Sequence, residues 1–321
     1  MTGRPLLAGL DIGGSKVLAV AVDPGDGAPA RVVEQLRLAT RPGPDGVVET
    51  AHAAITALAE RLGGGPHRLA GVGIGVPGLV DAARGAVTHA VNLGVGPGGL
   101  DLADRLQRRL QLPVAVENDV NAAAIGAAVL LGLGRSDLAY LSIGTGIAAG
   151  IVLDGTLRRG PHGAAGEIGH IPVDPSGPEC SCGQRGCLEA VASGSAIAAR
   201  WPGDGDSASG AADALFGAAE AGDPRAVAVR DEVAGYLAGA VRILALTVDV
   251  DLVVLGGGVA EVGEPLRHAV AAALGAQAER SEFLRGLNLA ARLSVVPPDR
   301  PVAAIGAALL VAGHPAVPGP P

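Results

Sequence analysis

All three cysteines of this 321-residue chain fall within one stretch, CSCGQRGCLE, which begins at Cys180. Cys180, Cys182 and Cys187 cannot all pair with one another in one chain, whereas thiolates at this spacing suit a borderline-soft metal ion. Ten residues upstream of Cys180, the segment GEIGH supplies His170. One imidazole and three thiolates make a closed tetrahedral zinc site of the structural type, with no position left for water. His162 and a water molecule stay open as alternatives to His170 for the fourth ligand. Gly183 and Gly186 let the chain turn tightly around the ion. Glu167 stands three residues before His170 and Glu189 two after Cys187, so a metal-folded loop would fix two carboxylates in space. Carboxylates held in this way suit bidentate hydrogen bonds to sugar hydroxyls.

A third acid belongs to VENDVNAAA, where Asn118 and Asp119 stand at the junction of a strand and a helix. Either residue suits an N-cap. An aspartate there is also kept ionised by the positive helix end, and can take a proton from a substrate hydroxyl. LDIGGSK has the outer glycine spacing of a phosphate-binding P-loop between Gly9 and Gly14, but Ser15 and Lys16 stand in the reverse order and a strand, VLAVAV, follows where a helix is required. The glycines therefore sit at a hairpin tip, whose backbone N–H groups can cradle phosphate without a helix dipole. A plain turn explains Gly13 and Gly14 equally well, though not Asp11 inside an apolar strand, where a carboxylate suits Mg²⁺. SIGTGIAAG is a second such turn, in which Thr145 and Gly146 can donate to the far phosphates of a nucleotide. A dinucleotide fold is excluded there because a strand follows the glycines. LGGGVAEVG, from Leu255, does enter a helix, so Gly257 and Gly258 allow either close approach to an adenosine or tight strand-to-helix packing.

The elements that must position these residues alternate between strand and helix. AGLDIGGSKVLAVAVD from Ala8 and AYLSIGTGIAAGIVLD from Ala139 each read as strand, glycine turn and strand, a β-hairpin pattern that suggests two similar domains facing a shared cleft. Periodicity predicts helices over Glu49 to Leu62, Leu102 to Leu110, Ser195 to Arg200, Asp223 to Thr247 and Pro265 to Glu279, and a further helix in VAAIGAALLVA near the end. Leu69 to Val76, VAVEND and DLVVLGGG read as strands, which makes the class α/β. Pro202 to Asp213 and His314 to Pro321 read as loop and tail, because both are rich in small residues and proline.

Composition bounds the rest. A chain with 49% hydrophobic and 17% charged residues folds, and its length suits two domains. No uninterrupted apolar run reaches the roughly 18 residues of a membrane span. MTGRPLLAGLDIGG runs directly into a strand and turn without the cleavage site of a signal peptide, so a cytoplasmic location with no membrane partner is expected. A net charge of -8 argues against nucleic acid as a partner.

DIGGSK, GVPG, ENDVNAAA, GTGI, GEIGH, CSCGQRGCLE and LGGGV occur in this order, and from about residue 6 to 312 the chain resembles the ROK family of sugar kinases and regulators. The resemblance implies an actin-like, hexokinase-type (ribonuclease H-like) fold of two similar domains with an interdomain cleft. Residues 1–120 with a C-terminal helix at 301–313 would form the smaller domain, 121–300 the larger one with the zinc loop, and 314–321 a disordered tail. The activity implied is ATP-dependent phosphorylation of the 6-hydroxyl of a hexose, glucose first, with N-acetylmannosamine, N-acetylglucosamine, fructose, allose, mannose or 3-amino-3-deoxyglucose as alternatives. Asp119 then corresponds to the catalytic base, and Gly78, Asn118, Glu167, His170 and Glu189 to hexose-binding residues. Asp11, Gly13, Gly14, Ser15 and Lys16 resemble the first phosphate turn, Thr145 and Gly146 the second, and Gly257 with Gly258 the adenosine contact. Mg²⁺ and a structural Zn²⁺ on His170, Cys180, Cys182 and Cys187 complete the implied set, and the assembly implied is a homodimer or homotetramer. A sugar-responsive regulator of the same family would need a DNA-binding domain before the first hairpin, where only about seven residues stand. The chain departs from the family at Ala148 and Ala149, where further glycines are usual, and in NLGVGPGGLDL, which lacks the usual tryptophan after NLG.

Overall fold

A computed structural model describes residues 6–25, 30–65, 68–201, 208–297 and 299–311. The chain opens with an antiparallel hairpin, β1 (Leu6–Ile12) and β2 (Lys16–Asp23), extended by β3 (Arg31–Ala39). Helix α1 (Pro44–Arg61) leads to β4 (Leu69–Val76) and then to a small antiparallel sheet of β5 (Leu79–Asp81), β6 (Ala86–Thr88) and β7 (Leu100–Asp101). Helix α2 (Leu102–Leu110), β8 (Val114–Asn118) and α3 (Asp119–Leu130) follow. A second hairpin of β9 (Leu138–Ile143) and β10 (Ile147–Leu153) carries β11 (Thr156–Arg158) at its outer side. Helices α4 (Leu188–Ala192), α5 (Gly194–Arg200), α6 (Ala208–Glu220) and α7 (Pro224–Val248) then precede β12 (Leu252–Gly256). The last elements are α8 (Glu264–Ala278), α9 (Glu282–Leu287), β13 (Leu293–Val295) and α10 (Val302–Leu310).

The two larger sheets share one plan, β3-β2-β1-β4-β8 in the first and β11-β10-β9-β12-β13 in the second. In each, the first hairpin strand pairs in parallel with a later strand, which in turn pairs in parallel with the edge strand. The likeness between the two glycine-turn hairpins thus extends through whole sheets of an α/β protein. Two compact units result: one runs through Arg135, takes in Ile151–Ala164 and resumes at Pro301, and the other holds Ser136–Gly150 and Ala165–Arg300. Relative to the expected division at residue 120, the first unit therefore also takes in α3 and 151–164.

Helix α3 belongs there because of its sequence. DVNAAAIGAAVL has no polar face, and Ala122 to Ala128 are buried all round, since the helix packs against α10 on one side and the sheet on the other. The two helices meet backbone to backbone: a Cβ on Gly126 would overlap the Val302 carbonyl, and one on Gly306 would overlap the Ala122 carbonyl. Only glycine permits that approach. Helix α10 also lies against β1, β2, β4 and β8, so among the described residues the last helix closes the core of the unit that the first strand begins.

Strand β4 and helix α2 have the bounds that periodicity predicts, and α2 buries Leu102, Leu106 and Leu110 along one stripe. Helix α1 starts five residues before the expected Glu49, because Pro44 takes the first-turn position where its missing N–H is no loss and Asp45 follows it in the first turn. The expected loop at Pro202 to Asp213 is corrected in its second half. Residues 208–213 begin α6, where Ala211, Ala212, Leu215, Phe216 and Ala219 are buried at helical spacing, a stronger constraint than the local content of serine and glycine. Residues 202–207 and the tail at 314–321 lie outside the described residues.

Candidate functional site

Parallel strands bring their carboxyl ends to one edge of a sheet, and ligands of open α/β sheets bind beyond that edge. In the first unit the register aligns Asp11 with Gly75 and Gly75 with Glu117, and places Val76 beside Asn118. Asp11, the GVPG turn after β4 and the Asn118–Asp119 junction therefore share one edge. Asn118 is the N-cap of α3: its Oδ1 accepts from the backbone N–H groups of Val120 at 2.9 Å and Asn121 at 3.2 Å. Its Nδ2 donates to the Gly78 carbonyl at 3.3 Å, which ties the GVPG turn to the helix start and leaves one amide hydrogen for a ligand. Gly78 has φ +97, and a Cβ there would crowd the Thr88 carbonyl and Ala90, so the turn needs glycine.

Asp119 stands in the first turn of α3, half-buried, and its Oδ1 accepts from the Val120 N–H at 3.0 Å. Asp11 is its electrostatic neighbour. Burial, and then the Asp119 carboxylate, raise the pKa of Asp11 from 3.8 to about 7, with Lys16 opposing them. A half-buried acid beside a second acid is a place where a cation relieves both costs. The hairpin tip next to it is closed by Gly13 N–H donating to the Lys16 carbonyl at 2.9 Å, and is braced by Thr40, the residue after β3, whose hydroxyl donates to the Gly13 carbonyl at 2.7 Å. Gly14, Ser15 and Lys16 are exposed.

Sequence reasoning passed over Glu117, Asn121 and Arg159. Glu117 is only 2% exposed; its Oε1 accepts from the Asn118 N–H and from Asn121 Nδ2, both at 3.0 Å, and its Oε2 accepts from Arg159 Nε at 2.6 Å. An acid inside the apolar strand VAVEN was the available signal, the same one that singles out Asp11.

In the second unit the turn Gly144–Gly146 joins β9 to β10, closed by Gly144 N–H to the Gly146 carbonyl at 2.9 Å, with Thr145 exposed. Gly257, at φ +82, follows β12 where a Cβ would press on the Ile143 backbone, so Gly257 and Gly258 stand beside that turn. Glu189, in the first turn of α4, holds the same region from the other side. Its Oε2 accepts the Ile147 N–H at 3.0 Å, and a side chain at Gly146 would overlap that oxygen. Glu167 and His170 flank Gly169, which packs against the Ile147 carbonyl and Glu189 Cβ. The start of β10 thus gathers Glu167, His170 and Glu189.

His170 and the cysteines also meet. One ligand atom from each of His170, Cys180, Cys182 and Cys187 lies within 4.8 Å of all the others, and His162 is not among them. His170 Nδ1 is 3.8 Å from Cys180 Sγ, and Cys182 Sγ is 3.7 Å from Cys187 Sγ. A tetrahedron with zinc–sulfur bonds of about 2.3 Å has edges of about 3.8 Å, so the donor set fits that ion in kind and in size. Without a cation the sulfurs conflict: burial, then the neighbouring thiols, push Cys187 up to about 12, while the Gln184 backbone and side-chain N–H groups draw Cys182 down to about 6.

Residues 7–313 match the ROK family. A glucokinase of Halalkalibacterium halodurans is 35% identical over 301 residues, which cover 86% of this chain and 88% of that protein. An N-acetylmannosamine kinase of Yersinia pseudotuberculosis is 32% identical over 263 residues, covering 82% and 86%. Among solved structures, a ROK family glucokinase from Streptomyces griseus in complex with glucose and AMPPNP matches with a TM-score of 0.75 and 33% identity over 94% of this chain and 98% of that one. Similarity that runs unbroken through both sheets and both glycine-turn hairpins identifies the chain as a member of the ROK family, with an actin-like, hexokinase-type fold.

Proposed function

We propose that this chain transfers the terminal phosphoryl group of ATP to the 6-hydroxyl of a hexose, with glucose as the first substrate. The observation that carries the reading is Asp119, an acid at a capped helix start that shares a sheet edge with Asp11 and a braced glycine turn, in a chain 35% identical to a glucokinase. Asp119 accepts the hydroxyl proton as the phosphoryl group arrives, and the positive end of α3 favours its ionised form beforehand. Such a base contributes about 10²- to 10⁴-fold. Gly78, the spare amide hydrogen of Asn118, and Glu167, His170 and Glu189 bind the remaining hydroxyls. Backbone N–H groups of Gly13 to Lys16 and of Thr145 and Gly146 hold the phosphates, and Gly257 with Gly258 allow close approach to the adenosine. Phosphoryl transfer depends mainly on positioning and charge neutralisation, and Mg²⁺, when bound at Asp11, supplies part of the second. The ion that suits His170, Cys180, Cys182 and Cys187 is zinc with a structural duty, since all four positions are filled by protein.

A second reading, phosphorylation of N-acetylmannosamine, is favoured by the 32% identity to an N-acetylmannosamine kinase. The other hexoses and amino sugars named above would differ in pocket shape at single hydroxyls or amines. The enzyme acts in the cytoplasm as a homodimer or homotetramer, as the family suggests. The test is a panel of hexoses and amino sugars with ATP and Mg²⁺, and with polyphosphate as a second donor, scored by product formation in the wild type and in Asp119→Asn. Glucose is expected to lead, and the variant to lose about 10²- to 10⁴-fold in turnover with hexose affinity changed only a few-fold. Turnover of no sugar with either donor overturns the kinase reading, and near-normal turnover in the variant removes Asp119 from its role.

A further inference from the structure

Among the buried charged groups of the described residues, Glu117 has no part in the reaction outlined above. Its carboxylate lies directly before Asn118 and Asp119, is 2% exposed, and is satisfied on both oxygens. Oε1 accepts from the backbone N–H of Asn118 and the side-chain amide of Asn121, so a single oxygen fastens the last residue of β8 to the first turn of α3. Oε2 accepts from Arg159 Nε at 2.6 Å, a guanidinium from the segment after β11 that belongs to the same compact unit. Asn118 in turn holds the Val120 and Asn121 N–H groups and the Gly78 carbonyl. The bonds made by Asn118 and Asn121 at the bend on which Asp119 sits therefore lead back to Glu117 or to its immediate neighbour.

We infer that Glu117, with Arg159 as its counter-ion and Asn121 as its third partner, is a positioning residue that holds the Asn118–Asp119 bend in the orientation required for proton removal. The inference rests on the proposed role of Asp119. Neither Glu117 nor Arg159 meets the substrate. The pair is asymmetric, because the Arg159 side chain is 27% exposed and can be rehydrated, whereas Glu117 cannot. Removing the arginine strands a buried charge, which is far worse than removing both charges together.

That asymmetry gives the test, with Arg159→Met, Glu117→Gln and the double variant compared as full-length proteins. Arg159→Met is expected to lower kcat by about 10²-fold, the effect of a displacement of about 1 Å, with the KM for hexose and ATP within about threefold of wild type. Glu117→Gln, which keeps an oxygen for the Asn118 and Asn121 N–H groups, is expected to lose less. The double variant should recover at least about tenfold of the kcat that Arg159→Met loses, because no charge is left stranded. In the ligand-free proteins, the Val120 and Asn121 amides should exchange faster in Arg159→Met than in wild type, and should slow again in the double variant. An Arg159→Met protein with kcat within threefold of wild type, or a double variant no better than the single one, overturns the inference. So does unchanged exchange at the two cap amides. Failure of the wild type to phosphorylate any hexose would count against the kinase reading alone, since the amide exchange still decides whether the pair holds the bend.

Discussion

Asp11 is held at the end of an apolar strand, where its proton is hard to remove. Its pKa lies at about 7 in the folded chain, against 3.8 for an unperturbed aspartate. Between those values the folded state binds more proton than the unfolded one, so this residue's contribution to stability is complete below about pH 4 and is lost as pH rises through about 7. Without ligands, the melting temperature of the wild type should fall from pH 5 to pH 8, and Asp11→Asn should flatten that slope. Differential scanning fluorimetry across the range decides it, and an equal slope in the variant would clear Asp11 of the effect. The sequence exposes Asp11 through a simple anomaly, an acid among Leu, Ala, Gly and Ile. Glu117 presents the same anomaly, but its partner Arg159 stands 42 residues away on a segment with no periodic relation to it, and a buried pair of that kind becomes visible only when the chain is folded.

At the scale of elements, the segment from Ile171 to Arg185 has neither a helix nor a named strand of its own. Its ties are scattered ones, among them two isolated bridges, Pro172 to Cys187 and Glu179 to Arg185, the Val173 and Asp174 N–H groups donating to the Gly186 carbonyl, and the Tyr236 hydroxyl donating to Asp174. A metal ion held by His170, Cys180, Cys182 and Cys187 would supply what regular structure does not, and zinc peptides gain about 10 to 16 kcal/mol from such binding. Cys182→Ser should release the metal and lower the melting temperature together, as should a strong chelator on the wild type. Metal content by atomic absorption, read beside the melting curve, tests this. A chain that melts at the same temperature after chelation would remove the metal from the account. The spacing of the thiols made this site legible, and the ligand atoms converge as the chemistry of the residues requires. The bond by which Glu189 holds the Ile147 N–H was not legible, because a hydrogen bond to a backbone group leaves no mark on residue type.

Across the whole molecule, repetition was legible where side chains carry it and silent where backbone does. The two glycine-turn hairpins announce the duplication, but the shared order of both sheets rests on parallel pairings between strands far apart in sequence. The place of α10 was similarly hidden. VAAIGAALL reads as an apolar helix, and nothing in it names α3 as the partner until the Gly126 and Gly306 contacts are seen. Gly306→Val should therefore force two backbones apart and destabilise the protein by at least about 1–3 kcal/mol. Urea denaturation measures this, and a change below about 0.5 kcal/mol would mean that the two helices part without penalty. Helix α10 also has a meaning for biosynthesis. β1 leaves the ribosome long before the segment that must cover it, so a nascent chain carries an unfinished apolar face throughout the synthesis of residues 136–300. Maturation of the unit bearing Asp119 thereby waits until α10 itself has been synthesised, and in that interval the growing polypeptide offers chaperones a long opportunity to engage it.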